Sequence, residues 1–355
     1  LDQINSDNVN TLELEWVLQN QVFGAWQSNP IIVDGVMYVT ERPNSVMAVD
    51  AVTGRVFWKY RHVPAENSLV CCGANNRGVA VLNDKVYMGT LDARLVALDR
   101  VNGEVLWNVE VGDVDLAYSV TMAPLAVKDK IIVGVGGGEF GIRGYVTAFD
   151  AESGEQVWKT YTIPGPGEPN HDSWQGDDWE HGGAPVWITG SFDPELNLTY
   201  WGVGNPGPDW NAGQRPGDNL YSDSAIALDA DTGELKWYFQ FTPNDAYDYD
   251  SVQVPILADI DFRGTPTKVM MWANRNGYFY VLDRVTGKFL EGKPYVTVNW
   301  SSGLDENGRP IPTPQPEGMP TFPGNQGGTN WYPPSYSPRT GYFYFSAWKD
   351  YATIY

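Results

Sequence analysis

Two carboxylates stand two residues apart in the stretch NDAYDYDSVQ, residues 244–253: Asp248 and Asp250. The run reads as a strand, and in an extended chain residues i and i+2 point to the same side. Like charges so placed repel unless something cationic lies between them, which makes the pair a candidate cation site. A solvated strand end or turn is the other reading these residues allow. The only two cysteines, Cys71 and Cys72, are adjacent in CCGANNRG. Neighbouring cysteines can bond only through a strained eight-membered ring that removes almost no chain entropy, so such a bond would not be there for stability. Two free buried thiols are the alternative. His62, His171 and His181 form no metal cluster or haem motif and read as surface or loop residues.

Chemistry at these positions needs a scaffold, and the chain offers one as a repeat. AVDAVTGRVFW (48–58), ALDRVNGEVLW (97–107), AFDAESGEQVW (148–158) and ALDADTGELKW (227–237) share one pattern, and VLDRVTGKFLE (281–291) keeps its Asp and Gly but not its final Trp. Each reads as a strand ending in Asp, a D-x-x-x-G turn and a second strand. The motif Asp residues fall at 50, 99, 150, 229 and 283, so the steps are 49, 51, 79 and 54. A hairpin per period of about 40 to 50 residues is the pattern of β-propeller blades. The long step holds IPGPGEPNHDSWQGDDWEHGGAPVW and GNPGPDWNAGQRPGDNLYSDS. Insertions on such architectures collect on one face, and loops on a rigid scaffold carry function, so this is the first place to look for a site.

Composition agrees with an all-β class. Among 355 residues, 15 Trp with 38 Gly and 25 Pro point to many short strands joined by tight turns, and 42% hydrophobic residues suffice for a large core. With 23 basic against 44 acidic residues, a formal charge of -21, no Lys/Arg cluster is present to bind a phosphate backbone, so nucleic acid is excluded as a partner. No apolar run reaches the ~20 residues needed to cross a bilayer. Leu1 opens on a polar sequence, so the expectation is a soluble chain with any export signal upstream.

From end to end the chain resembles the pyrroloquinoline quinone (PQQ) dependent alcohol dehydrogenases, the quinoproteins that include methanol and ethanol dehydrogenases. The resemblance rests on the Trp-docking repeats, CCGANNRG, GGGEFGIRG (136–144), GGAPVW, GVGNPGPDW (202–210) and the Asp pair. It implies an eight-bladed propeller, of which this chain would hold five to six blades as one domain over 1–355, incomplete at its C-terminus and lacking the closing strand. It also implies a Cys71–Cys72 disulfide on one face of PQQ, Trp187 stacked on the other, and an oxidising, periplasmic compartment. Arg77, Thr121 and Asn330, with Gln27 on a weaker match, would hold the PQQ carboxylates and carbonyls. Glu139, placed by its glycines in a strand end, and Asn205 match the family's metal ligands, and Asp248 matches its catalytic carboxylate. Such oxygen-only ligation suits a hard cation.

Within the family a second Asp two residues after the catalytic one accompanies a lanthanide rather than calcium, so the resemblance makes Asp250 a fourth ligand selecting a trivalent ion, with calcium as the alternative. It implies that the cation polarises the quinone carbonyl, Asp248 acts as general base on a primary alcohol, hydride passes to the quinone, and Arg275 stabilises developing charge. The partners it implies are a small primary alcohol, a cytochrome c electron acceptor and, as one assembly, a homodimer. Pro185 and Gly136 stand where some relatives carry hydroxyl residues, which leaves two cofactor hydrogen bonds absent or replaced. GGAPVW, NPGPDWN and RPGDNLYSDS look closer to ethanol-type, broad-substrate members than to methanol specialists. A calcium-dependent or methanol-specific enzyme is the alternative within the family. A non-catalytic propeller scaffold of outer-membrane assembly type also fits the repeats, but has no need of the adjacent cysteines, Glu139, Asn205, Arg275 and the Asp pair together.

Overall fold

A computed structural model describes residues 3–355; Leu1, on which the expectation of a polar start was based, lies outside them. Among the described residues, five four-stranded antiparallel sheets follow one another at 31–61, 80–110, 125–161, 191–240 and 256–294, each with its strands in sequence order. We number them blades 1 to 5. Three two-stranded pairs follow between residues 301 and 354. The protein is thus the all-β propeller that the repeats predict. No helix among the described residues is long and apolar enough to cross a membrane, which leaves strand-built membrane barrels unaddressed.

Each repeat is the hairpin between the third and fourth strands of a blade, and one physical device recurs in all five. Strand 3 ends at Asp50, Asp99, Asp150, Asp229 or Asp283. The Oδ1 of each accepts the backbone amides two and three residues on, at 2.8–3.0 Å, which closes the turn. The glycine four residues on sits at φ +72 to +75°, a conformation that disfavours a side chain. Its bare face meets an indole from the preceding blade: a Cβ would lie 2.6 Å from Trp58 at Gly103, 3.0 Å from Trp107 at Gly154, and 2.5 Å from Trp158 at Gly233 and from Trp237 at Gly287. The indole N–H groups of Trp58, Trp107 and Trp158 donate to hairpin carbonyls of the next blade at 3.1–3.3 Å. Repeat and blade therefore interlock, each Trp serving the next hairpin. Trp16 serves blade 1 in the same way, against Gly54 and Ala51 O. In blade 5 Glu291 takes the Trp position and pairs with Arg263 and Lys293.

Strand order also decides where a site can form. In a four-stranded antiparallel blade the turns after strands 1 and 3 lie on one rim, while the connections after strands 2 and 4 emerge on the other. The Asp-Gly hairpins occupy the first rim. Both parts of the long insertion, the blade 3 to blade 4 connection and the loop after Gly202, emerge on the second.

Candidate active site

One cleft of about 470 Å³ opens on the second rim. It is lined by Gln27, Cys71, Cys72, Arg77, Thr121, Glu139, Trp187, Asp248, Asp250, Arg275 and Asn330, which arrive from the four connections between successive blades, from the loops after strand 2 of blades 3 and 5, and from the segments before blade 1 and after blade 5. Asn205 is not in the lining; it is buried behind it. Pro185 and Gly136 line the cleft as well.

The Asp pair is not in a strand. It lies in the connection between Leu235–Gln240 and Ile256–Phe262, and Asp248 has a left-handed φ of +63°. Buried Asp245 turns this loop by accepting the amides of Tyr247 at 2.9 Å and Tyr249 at 2.7 Å, and Tyr249, itself fully buried, donates its hydroxyl to Pro323 O. The two carboxylates nevertheless converge, and the cation between them is Arg275: Nη1 lies 2.6 Å from Asp250 Oδ2 and Nη2 3.2 Å from Asp248 Oδ2. Asp250 Oδ1 accepts the Asn205 amide at 2.7 Å. Gly204 permits this approach, since a Cβ there would stand 2.4 Å from Asp250 Oδ1.

Glu139 belongs to a single 3-10 turn, Gly138–Phe140, rather than to a strand end, because Gly137 at φ +115° breaks the chain out of the preceding strand. Its carboxylate is within 4.8 Å of both cysteine sulfurs. Although Glu139 is open to the cleft, desolvation pushes its carboxyl up to about 6, with further repulsion from Asp250 and Asp209. Burial likewise raises Asp248 well above the carboxylate range, against the pull of Arg275, and raises Asp209. The lining sets four carboxylates against two guanidinium groups, a donor set of hard oxygens with negative charge to spare.

The cleft lining also holds the Cys71–Cys72 disulfide, with Cys72 at φ +67° and its carbonyl bonded by Asn75 Nδ2 at 2.9 Å. Arg77 donates to Thr121 Oγ1 at 2.7 Å, and its guanidinium lies 4.8 Å from the ring centre of Trp187 and 5.6 Å from that of Trp331. Burial lowers its pKa to about 10, so it stays cationic at neutral pH. Four buried atoms of lining residues have no hydrogen-bond partner: Gln27 Oε1, Asn75 Oδ1, Arg77 Nε and Arg275 Nε. Buried polar groups are rarely left unpaired, and two acceptors and two donors around one cleft fit a polar guest that carries both donor and acceptor groups.

Sequence reasoning missed Asn75, Asp209, Trp210 and Trp331, all of which line the cleft. Asp209 and Trp210 stand in GVGNPGPDW and Trp331 in GGTNW, so the signal lay inside motifs chosen for their neighbours. Glu139, Asp209 and Trp210 also line an adjoining cavity of about 610 Å³ with His181. Of the histidines, His62 lies in the loop after Val56–Arg61, half-buried, with its Nε2 2.9 Å from Asp92 Oδ1.

Residues 1–292 match the PQQ family described as glucose/ethanol/alcohol dehydrogenase, β-propeller domain. Over 97% of its length the chain is 41% identical to the quinoprotein alcohol dehydrogenase PedH of Pseudomonas putida, covering 63% of that protein. It is 40% identical to the lanthanide-dependent methanol dehydrogenase of Methylacidiphilum fumariolicum, covering 97% of this chain and 61% of the relative. Among solved structures, a europium-containing methanol dehydrogenase superposes with a TM-score of 0.92 at 38% identity, over 98% of this chain and 66% of the other. The quinohemoprotein alcohol dehydrogenase of Comamonas testosteroni gives 0.92 at 41%, over 98% and 55%. The chain thus spans 50–63% of the curated relatives it matches.

Proposed function

The chain belongs to the glucose/ethanol/alcohol dehydrogenase family of PQQ β-propellers, and from that premise we propose that the full-length protein oxidises primary alcohols to aldehydes with PQQ and a bound lanthanide ion. Residues 1–355 are, on this reading, one propeller domain that continues beyond the chain. The observation that carries it is the single cleft that gathers the disulfide, Trp187, Arg77, Glu139, the Asp pair and Arg275, with four buried polar atoms still unpaired.

When bound, PQQ with its Lewis-acidic cation supplies the hydride acceptor for alcohol oxidation. Cys71–Cys72 and Trp187 would flank the ring, and Gln27, Arg77, Thr121 and Asn330 would hold its polar rim. Glu139, Asn205, Asp248 and Asp250 hold the cation. Asp248 takes the hydroxyl proton of the alcohol, with the Arg275 guanidinium 3.2 Å away to favour its ionised form. Arg275 holds Asp248 in place and stabilises negative charge developing in the cleft. A lanthanide is favoured over calcium by Asp250 and by two similar proteins named for lanthanides. A disulfide of adjacent cysteines supports an oxidising compartment, and the proposal is a periplasmic protein with a cytochrome c as electron acceptor and a homodimeric assembly.

The test is dye-linked ethanol oxidation by the full-length protein reconstituted with PQQ and either lanthanum or calcium. Activity with lanthanum that Asp250→Ala abolishes, while calcium activity is spared, supports the reading. Equal activity with both ions and no effect of the substitution refutes the metal choice, and no alcohol oxidation under any loading refutes the function.

A further inference from the structure

We infer that Asp209 is a positioning residue of the cation site: it holds the Asn205 amide in place and adds a negative charge that favours a trivalent over a divalent ion. The inference rests on the cation reading above. Asp209 faces the cleft with Glu139, Asp248 and Asp250, and shares with Glu139 the partition between the cleft and the adjoining cavity. Its Oδ1 accepts Asn205 Nδ2 at 2.8 Å, and the same nitrogen reaches Pro206 O at 3.3 Å. With its NH₂ group directed to these two acceptors, the amide has one orientation, and its carbonyl oxygen is turned away from them. The Asn205 backbone N–H in turn fixes Asp250 Oδ1 at 2.7 Å, so Asp209, Asn205 and Asp250 form one connected unit.

Acidic residues alone would not mark a site. Here the buried Nε of Arg275, which lines the same cleft without a partner, shows that the pocket's polar groups are not satisfied among themselves. Gly204, where a side chain would collide with Asp250, keeps the space beside the carboxylates open. Coulomb attraction scales with the charge of the ion, so a carboxylate near the site helps a trivalent ion half again as much as a divalent one. Partners that orient a metal ligand typically change affinity by about 10- to 100-fold.

Isothermal titration of La³⁺ and of Ca²⁺ into the PQQ-loaded full-length protein tests this without reference to turnover. Asp209→Asn keeps the size and the acceptor but removes the charge. It is expected to weaken La³⁺ about 10-fold and Ca²⁺ only about 5-fold. Asp209→Ala, which also frees the Asn205 amide, should weaken La³⁺ further, to about 100-fold. Asp209→Glu, retaining the charge, should preserve the preference for La³⁺. Equal losses for both ions in Asp209→Asn would leave Asp209 a purely structural residue and overturn the inference, as would unchanged affinities. Absence of La³⁺ binding by the unsubstituted protein would overturn the cation reading itself.

Discussion

Asp150 ends a strand on one rim of the propeller and Asp248 lies in a connection on the other, and their surroundings differ in kind. On the hairpin rim, Asp150 Oδ1 accepts the amides of Glu152 and Ser153 and the Ser153 hydroxyl, and these bonds, led by the Ser153 amide, hold its carboxyl below the usual range. On the cleft rim, Asp248 sits at a left-handed φ beside Arg275, and burial drives its carboxyl up. The tryptophans divide the same way. Trp158 is packed on Gly233 and its N–H is bonded, whereas Trp187 presents its ring to a cleft and to the guanidinium of Arg77. On the scaffold rim the hairpin aspartates close their turns on amides two and three residues away, although the docked Trp237 leaves its N–H unpaired. The cleft rim leaves needs unmet, and a rim in that condition is built to receive something.

The largest effect expected from this contrast is on catalysis. Asp248→Ala should lower alcohol oxidation by about 1,000-fold while the thermal midpoint changes little, measured by dye-linked turnover and calorimetry. Retained activity would remove Asp248 from the chemistry. On the hairpin rim the mirror experiment is Gly103→Ala, which places a methyl 2.6 Å from Trp58 at φ +75° and should cost about 2 to 4 kcal/mol in chemical denaturation, with the turnover of the folded fraction unchanged.

The raised Glu139 carboxyl predicts a pH dependence. Its proton is held to a higher pH than usual, so below about 6 a cation must displace that proton, and above it need not. Cation affinity should therefore fall by up to about tenfold per unit as pH drops through about 6, and Glu139→Gln should remove that step, while the raised Asp248 carboxyl extends the dependence on pH beyond it. The smallest effect belongs to the scaffold. Asp150→Ala loses hydrogen bonds in one exposed turn among five alike and should cost about 1 kcal/mol, with cation affinity unmoved. A change in affinity there would mean that the two rims are coupled.

The same division explains what the sequence made legible. The hairpins follow from local residues, Asp capping the turn, Gly taking positive φ, Trp docking four residues after it, so their spacing was enough to read a propeller. The cleft is assembled by contacts as distant as Arg77 with Trp187 and Trp331, which no local pattern encodes; family motifs, rather than spacing, pointed to those residues. Where local reasoning was applied to the cleft it failed in a specific way. Asp248-Tyr249-Asp250 looks extended, but Asp245 captures two downstream amides and curls the loop, and Arg275 bridges the two carboxylates. Glu139 was assigned to a strand end because glycines suit one, whereas the positive φ of Gly137 starts a 3-10 turn. Asp209 escaped notice because nothing in its neighbourhood of sequence shows that its carboxylate meets the Asn205 amide in the fold.

The central claim is that the cleft rim is a PQQ site. Metal-free, full-length protein titrated with PQQ in the presence of La³⁺, followed by quenching of tryptophan fluorescence, tests it directly. One equivalent bound, with the quenching reduced in Trp187→Ala and the affinity lost in Arg77→Ala, is the predicted result. No saturable binding, or binding indifferent to both substitutions, would contradict it.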